Sequence, residues 1–163
     1  TIESVAENLG DSIVAPVLAF AARGLPGAAV YRVVNTADAM FGYRDDREWL
    51  GKSAARADDV LNVVPSRVAA AALAAAALAL EGPARARAAV AAARRDHGAL
   101  ASPNAGWPIG AMAGALGCRL DKPGHYVVGR DWPAPTARDV RRAAGTAGLA
   151  AALVAGTVSV TAC

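Results

Sequence analysis

A chain of 163 residues that is 55% apolar and 19% charged, with a mean hydropathy of +0.29, is more apolar than a soluble domain, in which about a quarter of residues carry charge. The net charge is +3, but the arginines cluster between apolar runs and aromatics make up only 5%, so a nucleic-acid surface is disfavoured and the loop asymmetry of a membrane protein is favoured. Two cysteines, Cys118 and Cys163, provide no disulfide framework and no metal-binding Cys pair.

The chain opens on Thr1-Ile-Glu3-Ser-Val-Ala-Glu7-Asn8-Leu-Gly-Asp11. Glu3, Glu7 and Asp11 fall at i, i+4 and i+8, so a helix would place all three on one face, where like charges repel unless a cation offsets them. Such a row suits a hydrated Mg²⁺, which takes one or two carboxylates together with phosphate oxygens. It also suits a solvated helix face with Thr1 as N-cap. Residues 12–31 are apolar for about a membrane's width, yet contain Pro16, Arg23, Gly24, Pro26 and Gly27. This pattern predicts either a broken pair of half-helices or a helix ending near Arg23.

Residues 32–59 are polar and rich in both signs, and are expected in water or at an interface. Asn35 and Asp38 share a helix face there, and Phe41-Gly42-Tyr43 reads as a break. Residues 60–80 form a second apolar block rich in Ala and Leu, with Arg67 placed to snorkel. Glu81-Gly82-Pro83 stops it. Residues 84–97 set Arg85, Arg87, Arg94 and Arg95 among alanines and read as an interfacial helix closed by His97-Gly98. Residues 105–118 are short, apolar and glycine-rich, which suits close helix packing or a large ligand. Three prolines then mark a polar stretch. Residues 143–163, free of charge behind Arg138, Arg141 and Arg142, are the clearest membrane-span candidate, with Gly145, Gly148 and Gly156 expected on packing faces. The expected fold class is all-α: a single domain over residues 1–163, a polytopic helical membrane protein with polar loops or interfacial helices between spans or buried helices near 12–31, 60–80, 105–118 and 143–163.

No phosphate loop, dinucleotide fingerprint, nucleophile elbow or zinc motif is present. The polar islands nonetheless hold groups useful in phosphate chemistry: acids for Mg²⁺ (Glu3, Glu7, Asp11, Asp38), cations for phosphate (Arg32, Arg44, Lys122), and amides or a base (Asn35, Asn104, His125). Lys122-Pro-Gly-His125 reads as an exposed turn between charged residues.

Four stretches carry a resemblance. They are Thr1–Pro16; Tyr31-Arg-Val-Val-Asn35-Thr-Ala-Asp38-Ala-Met40 with Gly42-Tyr43-Arg44; Ser102-Pro-Asn104-Ala-Gly-Trp107-Pro108; and Lys122-Pro-Gly-His125-Tyr126. In content, order and approximate spacing they resemble the CobD/CbiB family, the membrane-bound adenosylcobinamide-phosphate synthases of cobalamin biosynthesis. The resemblance runs from Thr1 to about Tyr126. It implies that the chain is the C-terminal portion of a longer protein, with a further N-terminal part carrying spans of its own. It implies a ligase joining aminopropanol, or its phosphate, to adenosylcobyric acid through an amide, driven by ATP with Mg²⁺, in the cell membrane with its active site on the cytoplasmic side. Glu3, Glu7, Lys122 and His125 are then the catalytic candidates. Asn8, Arg32, Asn35, Asp38, Arg44, Asn104 and Trp107 are the substrate- or nucleotide-binding ones, and Glu3, Glu7 and Asp11 the metal ligands. Trp107 has two readings, stacking on corrin or nucleotide and anchoring at the membrane interface. The alternatives are a non-catalytic corrinoid-binding or sensor protein on the same scaffold and a soluble Ala-rich helical bundle.

Overall fold

The computed structural model describes residues 1–41 and 48–161, and the elements named below are those of the described residues. Seven helices dominate: α1 (Ile2–Asn8), α2 (Ala15–Phe41), α3 (Glu48–Leu61), α4 (Val63–Glu81), α5 (Pro83–Asp96), α6 (Gly106–Leu116) and α7 (Ala137–Thr161). A π-helical turn over Leu9–Val14 joins α1 to α2. The expectation of a purely helical chain is corrected in one place. Leu120–Lys122 (β1) and Tyr126–Val128 (β2) pair antiparallel, with Leu120 opposite Val128. The three-residue tip between alternating side chains supplies the reason: Pro123 and Gly124 favour a tight turn, and the hairpin buries Leu120 and Val128 in the core.

Helix boundaries follow local chemistry. In α2 the backbone leaves helical geometry at Arg23 and at Gly24, whose φ of 64° and ψ of −158° suit only glycine. Pro26, with no amide hydrogen to lose, follows at the start of the second half. The broken pair of half-helices is therefore observed. Its second half, however, runs on to Phe41, so residues 32–41, expected as a polar region outside the apolar block, continue the same helix. Gly82, at φ 90°, ends α4, and Pro83 starts α5. At the start of α7 the Thr136 amide and hydroxyl both donate to Asp139 Oδ2, at 2.9 and 2.7 Å, so one carboxylate in the first turn satisfies both donors. Arg142 then donates to Asp139 and to Glu81, tying the start of α7 to the end of α4.

The core is built from small residues. Ala69, Leu73 and Ala76 of α4 pack with Ile109, Met112 and Ala113 of α6, with Ile2, Ala6 and Leu9 at the N-terminus, and with Ala143, Ala147, Ala150 and Val154 of α7. Those α7 residues recur at helical period and make its one inward stripe. Gly145, Gly148 and Gly156 lie on the outward side with open space beside them, which corrects their placement on packing faces. Glycines that pack closely against a neighbouring helix are in α6. A Cβ on Gly110 would sit 2.9 Å from Ala93 Cα, and one on Gly114 would strike the backbone of Ala88 and Ala89. Residues 105–118 thus form a buried 11-residue helix whose glycines admit α5. Among the described residues, two helical stretches are long and apolar enough to cross a membrane, Ile2–Met40 and Val63–Glu81. The expected clearest span, 143–163, ends outside the described residues; its described part forms most of α7, behind a leading turn that carries Arg138, Asp139, Arg141 and Arg142.

At the C-terminal end of α5, Arg95 grips Asp96 with two hydrogen bonds, of 2.7 and 2.8 Å, and the Gly129 amide donates to the same carboxylate at 3.0 Å. The Arg95 hydrogen bonds hold the Asp96 carboxyl below its usual range. A depressed folded-state value means that this contribution is complete above the ordinary aspartate value, about 4, and is lost as pH falls through the lower one. Asp96→Asn is therefore expected to lower the unfolding midpoint at neutral pH, with the difference from wild type shrinking below about pH 4. A difference that stays constant down to the acid limit would exclude the ion pair as its origin.

Candidate functional site

Helices α1, α3 and α4 and the turn before α6 enclose a small polar pocket of about 40 Å³, lined by Glu7, Asp11, Asp58, Asn62, Ser66, Ser102 and Asn104. That volume admits a few waters or a partly hydrated ion. Residues from three separate parts of the sequence meet there. The π-helical turn inserts one residue into the opening helix and changes its phase, which carries Asp11 inward.

The pocket is held by a chain of hydrogen bonds. Tyr31 Oη donates to Asn62 Oδ1 at 2.9 Å. Asn62 Nδ2 donates to Asp58 Oδ2 at 2.9 Å, and Asn35 Nδ2 donates to Asp58 Oδ1 at 3.2 Å. Both Asp58 oxygens are thus held by amides. Asn104 Nδ2 donates to the Asp59 carbonyl at 2.7 Å, while its Oδ1 accepts from Arg67 at 3.3 Å and from Ser66 at 3.5 Å. Asn62, Ser66 and Asn104 are 3%, 5% and 5% exposed, so these bonds meet a need that water does not. Outside the apolar helices, burial raises the Asp59 carboxyl, and the neighbouring Asp58 charge adds to it.

The acids in the pocket repel one another: Asp11 feels Asp58, Glu7 and Asp38, and Asp38 feels Asp58 and Asp59. Among the described residues no salt bridge reaches Glu7, Asp11 or Asp58. No three His, Cys or acidic side chains among them converge as a complete ion cage. The arrangement is a set of hard oxygen donors with excess negative charge, able to receive a cation or a proton.

The expected residues separate into groups. Glu7, Asp11 and Asn104 line the pocket, Asn35 orders it through Asp58, and Asp38 lies a turn beyond Asn35. Arg32 is exposed and reaches Asn35 at 3.5 Å. Glu3 leaves the carboxylate row for a neighbouring cavity beside Arg119, Asp121 and Thr136. It also bonds Tyr126, whose hydroxyl is pushed up to about 12 by burial and by the charges of Glu3 and Glu7. Lys122 sits exposed on the hairpin, close enough for its charge to act on Glu7. His125 is exposed at the hairpin tip, as the turn reading expected, and does not line the pocket. Asn8 is exposed outside it, and Arg44 lies outside the described residues. Trp107 has its ring occupied within the chain: His97 stacks on it at 4.5 Å and the Arg67 guanidinium lies 4.8 Å from its centre.

Sequence reasoning missed Tyr31, Asp58, Asn62 and Ser66 as site residues. A signal existed for three of them. Asp58, Asn62 and Ser66 lie at i, i+4 and i+8, a polar stripe entering an apolar helix that mirrors Glu3, Glu7 and Asp11.

The chain is similar to known proteins over most of its length. It is 49% identical over 130 residues to the cobalamin biosynthesis protein CobD of Dehalococcoides mccartyi, covering 80% of this chain and 42% of that protein. It is 46% identical over 153 residues to the cobalamin biosynthesis protein CobD of Rhodobacter capsulatus, covering 91% and 47%. It is 46% identical over 145 residues to the probable cobalamin biosynthesis protein CobD of Pyrococcus abyssi, covering 87% and 44%. The chain therefore spans less than half the length of these curated relatives. No solved structure matches it. The family model described as CobD/Cbib protein matches residues 1–155, and with these relatives it shows that the chain belongs to the CobD/CbiB family.

Proposed function

We propose that this chain belongs to an enzyme of cobalamin biosynthesis, an ATP-dependent ligase of the adenosylcobinamide-phosphate synthase type. It joins the amine of aminopropanol or aminopropanol phosphate to a propionate carboxyl of adenosylcobyric acid. The observation that carries this reading is the pocket in which Glu7, Asp11, Asp58, Asn62 and Asn104, far apart in sequence, converge on one small polar volume. Family membership and the names of the relatives supply the pathway.

The pocket fits Mg²⁺ in its donor chemistry: carboxylate and amide oxygens, with room for retained water. One or two of the carboxylates Glu7, Asp11 and Asp58 would hold the ion beside retained water, and when bound it would neutralise charge on a transferring phosphoryl group. The substrate carboxylate attacks the terminal phosphorus of ATP, and ADP leaves with the electrons of the broken P–O bond. The amine then attacks the acyl phosphate, inorganic phosphate leaves, and one amine proton passes to a base. Exposed on the hairpin, His125 can take that proton and Lys122 can face a phosphate. Arg32 and Asn35 lie at the outer side of the acids, where they can orient the nucleotide. Trp107, stacked on His97, acts by shaping the wall behind Asn104. The two long apolar helical stretches support a cell-membrane protein.

The test uses the full-length protein in detergent with adenosylcobyric acid, aminopropanol phosphate, Mg²⁺ and ATP, read by mass spectrometry. An amide product that requires both ATP and the amine is expected. Corrinoid binding without any product would replace this reading by a non-catalytic corrinoid-binding protein.

A further inference from the structure

The surface between α4 and α5 combines two properties that rarely coincide. It is an apolar groove, formed by two adjoining cavities of about 240 and 520 Å³ that share Val90 and Arg94. Arg67, Arg87 and Arg94 all line it, and no acidic residue does. Elsewhere arginines find acids: Arg95 pairs with Asp96, Arg119 with Asp121, and Arg142 with Glu81 and Asp139. Among the described residues Arg67, Arg87 and Arg94 have no acidic partner within salt-bridge distance. Arg87 and Arg94 stand two turns apart on one face of α5, about 10 Å along its axis. Val90 lies between them, and Leu78, 53% exposed on α4, lies across the groove. Trp107 closes the Arg67 end, and its buried indole N–H has no acceptor among the described residues.

We propose that this groove binds an anionic phospholipid. The phosphate lies between Arg67 and Arg94 beside Trp107, and an acyl chain runs over Val90 and Leu78 toward Arg87. Charge complementarity selects the headgroup: three unopposed cations need an anion, whereas the apolar floor between them excludes a hydrated one. A basic pocket beside a membrane-crossing helix is the usual setting for an anionic headgroup. The site also reaches the carboxylate pocket, because Arg67 donates both to Ser66 and to Asn104. The proposal rests on the membrane reading given above.

The experiment places the full-length protein in nanodiscs of phosphatidylcholine alone or mixed with phosphatidylglycerol. It then measures, by mass spectrometry, the lipid that stays bound after extraction into detergent. Wild type is expected to retain phosphatidylglycerol over phosphatidylcholine, and R94Q to lower that retention roughly fivefold, with a smaller loss in R87Q, about 10 Å from the phosphate. R130Q, exposed and outside the groove, is expected to leave it unchanged. Equal retention of the two lipids, equal loss in R130Q, or displacement of the lipid by inorganic phosphate would overturn the proposal; the last would make the groove a plain phosphate site. Failure to enter phosphatidylcholine discs would instead remove the membrane reading, and this proposal with it.

Discussion

Asp58→Asn is expected to lower turnover by about a hundredfold or more while leaving the protein folded. The substitution keeps the shape of the side chain and removes its charge. Asn35 continues to donate to the oxygen that remains. On the other side the new amide would face Asn62 Nδ2, donor against donor, in a place where Asn62 is 3% exposed. Asn62 can rotate its amide by half a turn, since Tyr31 can switch from donating to Asn62 Oδ1 to accepting from its nitrogen. The hydrogen bonds then survive and the negative charge does not. A larger Mg²⁺ requirement together with a near-normal unfolding midpoint is the expected pair of results. Tyr31→Phe blocks the rotation, so Asp58→Asn combined with Tyr31→Phe should be less stable than the sum of the singles by about 0.5–3 kcal/mol. Full activity in Asp58→Asn would remove the pocket from the mechanism.

Gly114→Leu is expected to cost more than 3 kcal/mol of stability and to abolish activity, although the residue touches no proposed substrate or ion. A side chain at this position meets the carbonyl and Cα of Ala88 and Ala89, which are backbone and cannot swing aside. The helices must separate, and the separation opens a core lined by alanines that have no reach to refill it. Even Gly114→Ala should cost about 1–3 kcal/mol. Gly148→Ala is the internal control: it has open space around it in a helix interior, so it should stabilise by up to about 1 kcal/mol. Thermal unfolding in detergent distinguishes the two. Equal midpoints for Gly114→Leu and wild type would mean that α5 and α6 do not pack through their backbones.

The two predictions also mark where sequence reasoning was strong and where it stopped. Features governed by neighbouring residues were legible. The break at Arg23-Gly24, the stop at Gly82-Pro83 and the exposed turn at Pro123-Gly124 all depend on φ and on missing amide hydrogens, which single residues dictate. The family was legible as well, because four motifs in fixed order are specific. In the site, Glu7, Asp11 and Asn104 were singled out and do line one pocket.

What the sequence alone could not decide was phase and partnership. The i, i+4, i+8 row of Glu3, Glu7 and Asp11 assumes an unbroken α-helix, and the π-helical turn over Leu9–Val14 breaks that assumption for Asp11, which lines the pocket beside Asp58, while Glu3 lines the cavity next to the hairpin. Whether the α6 glycines admit a ligand or a helix depended on what faced them, and α5 does. Trp107 was placed by His97 and Arg67, which lie 10 and 40 residues before it. The pairing of Asp58 with Asn35 and Asn62, and of Asn62 with Tyr31, spans up to 31 residues. Local chain chemistry determined the family, the apolar helices and their ends. The meeting of the carboxylates and amides belongs to the tertiary structure, because Asn62, Ser66 and Asn104 are buried and find their hydrogen-bond partners on other segments of the chain.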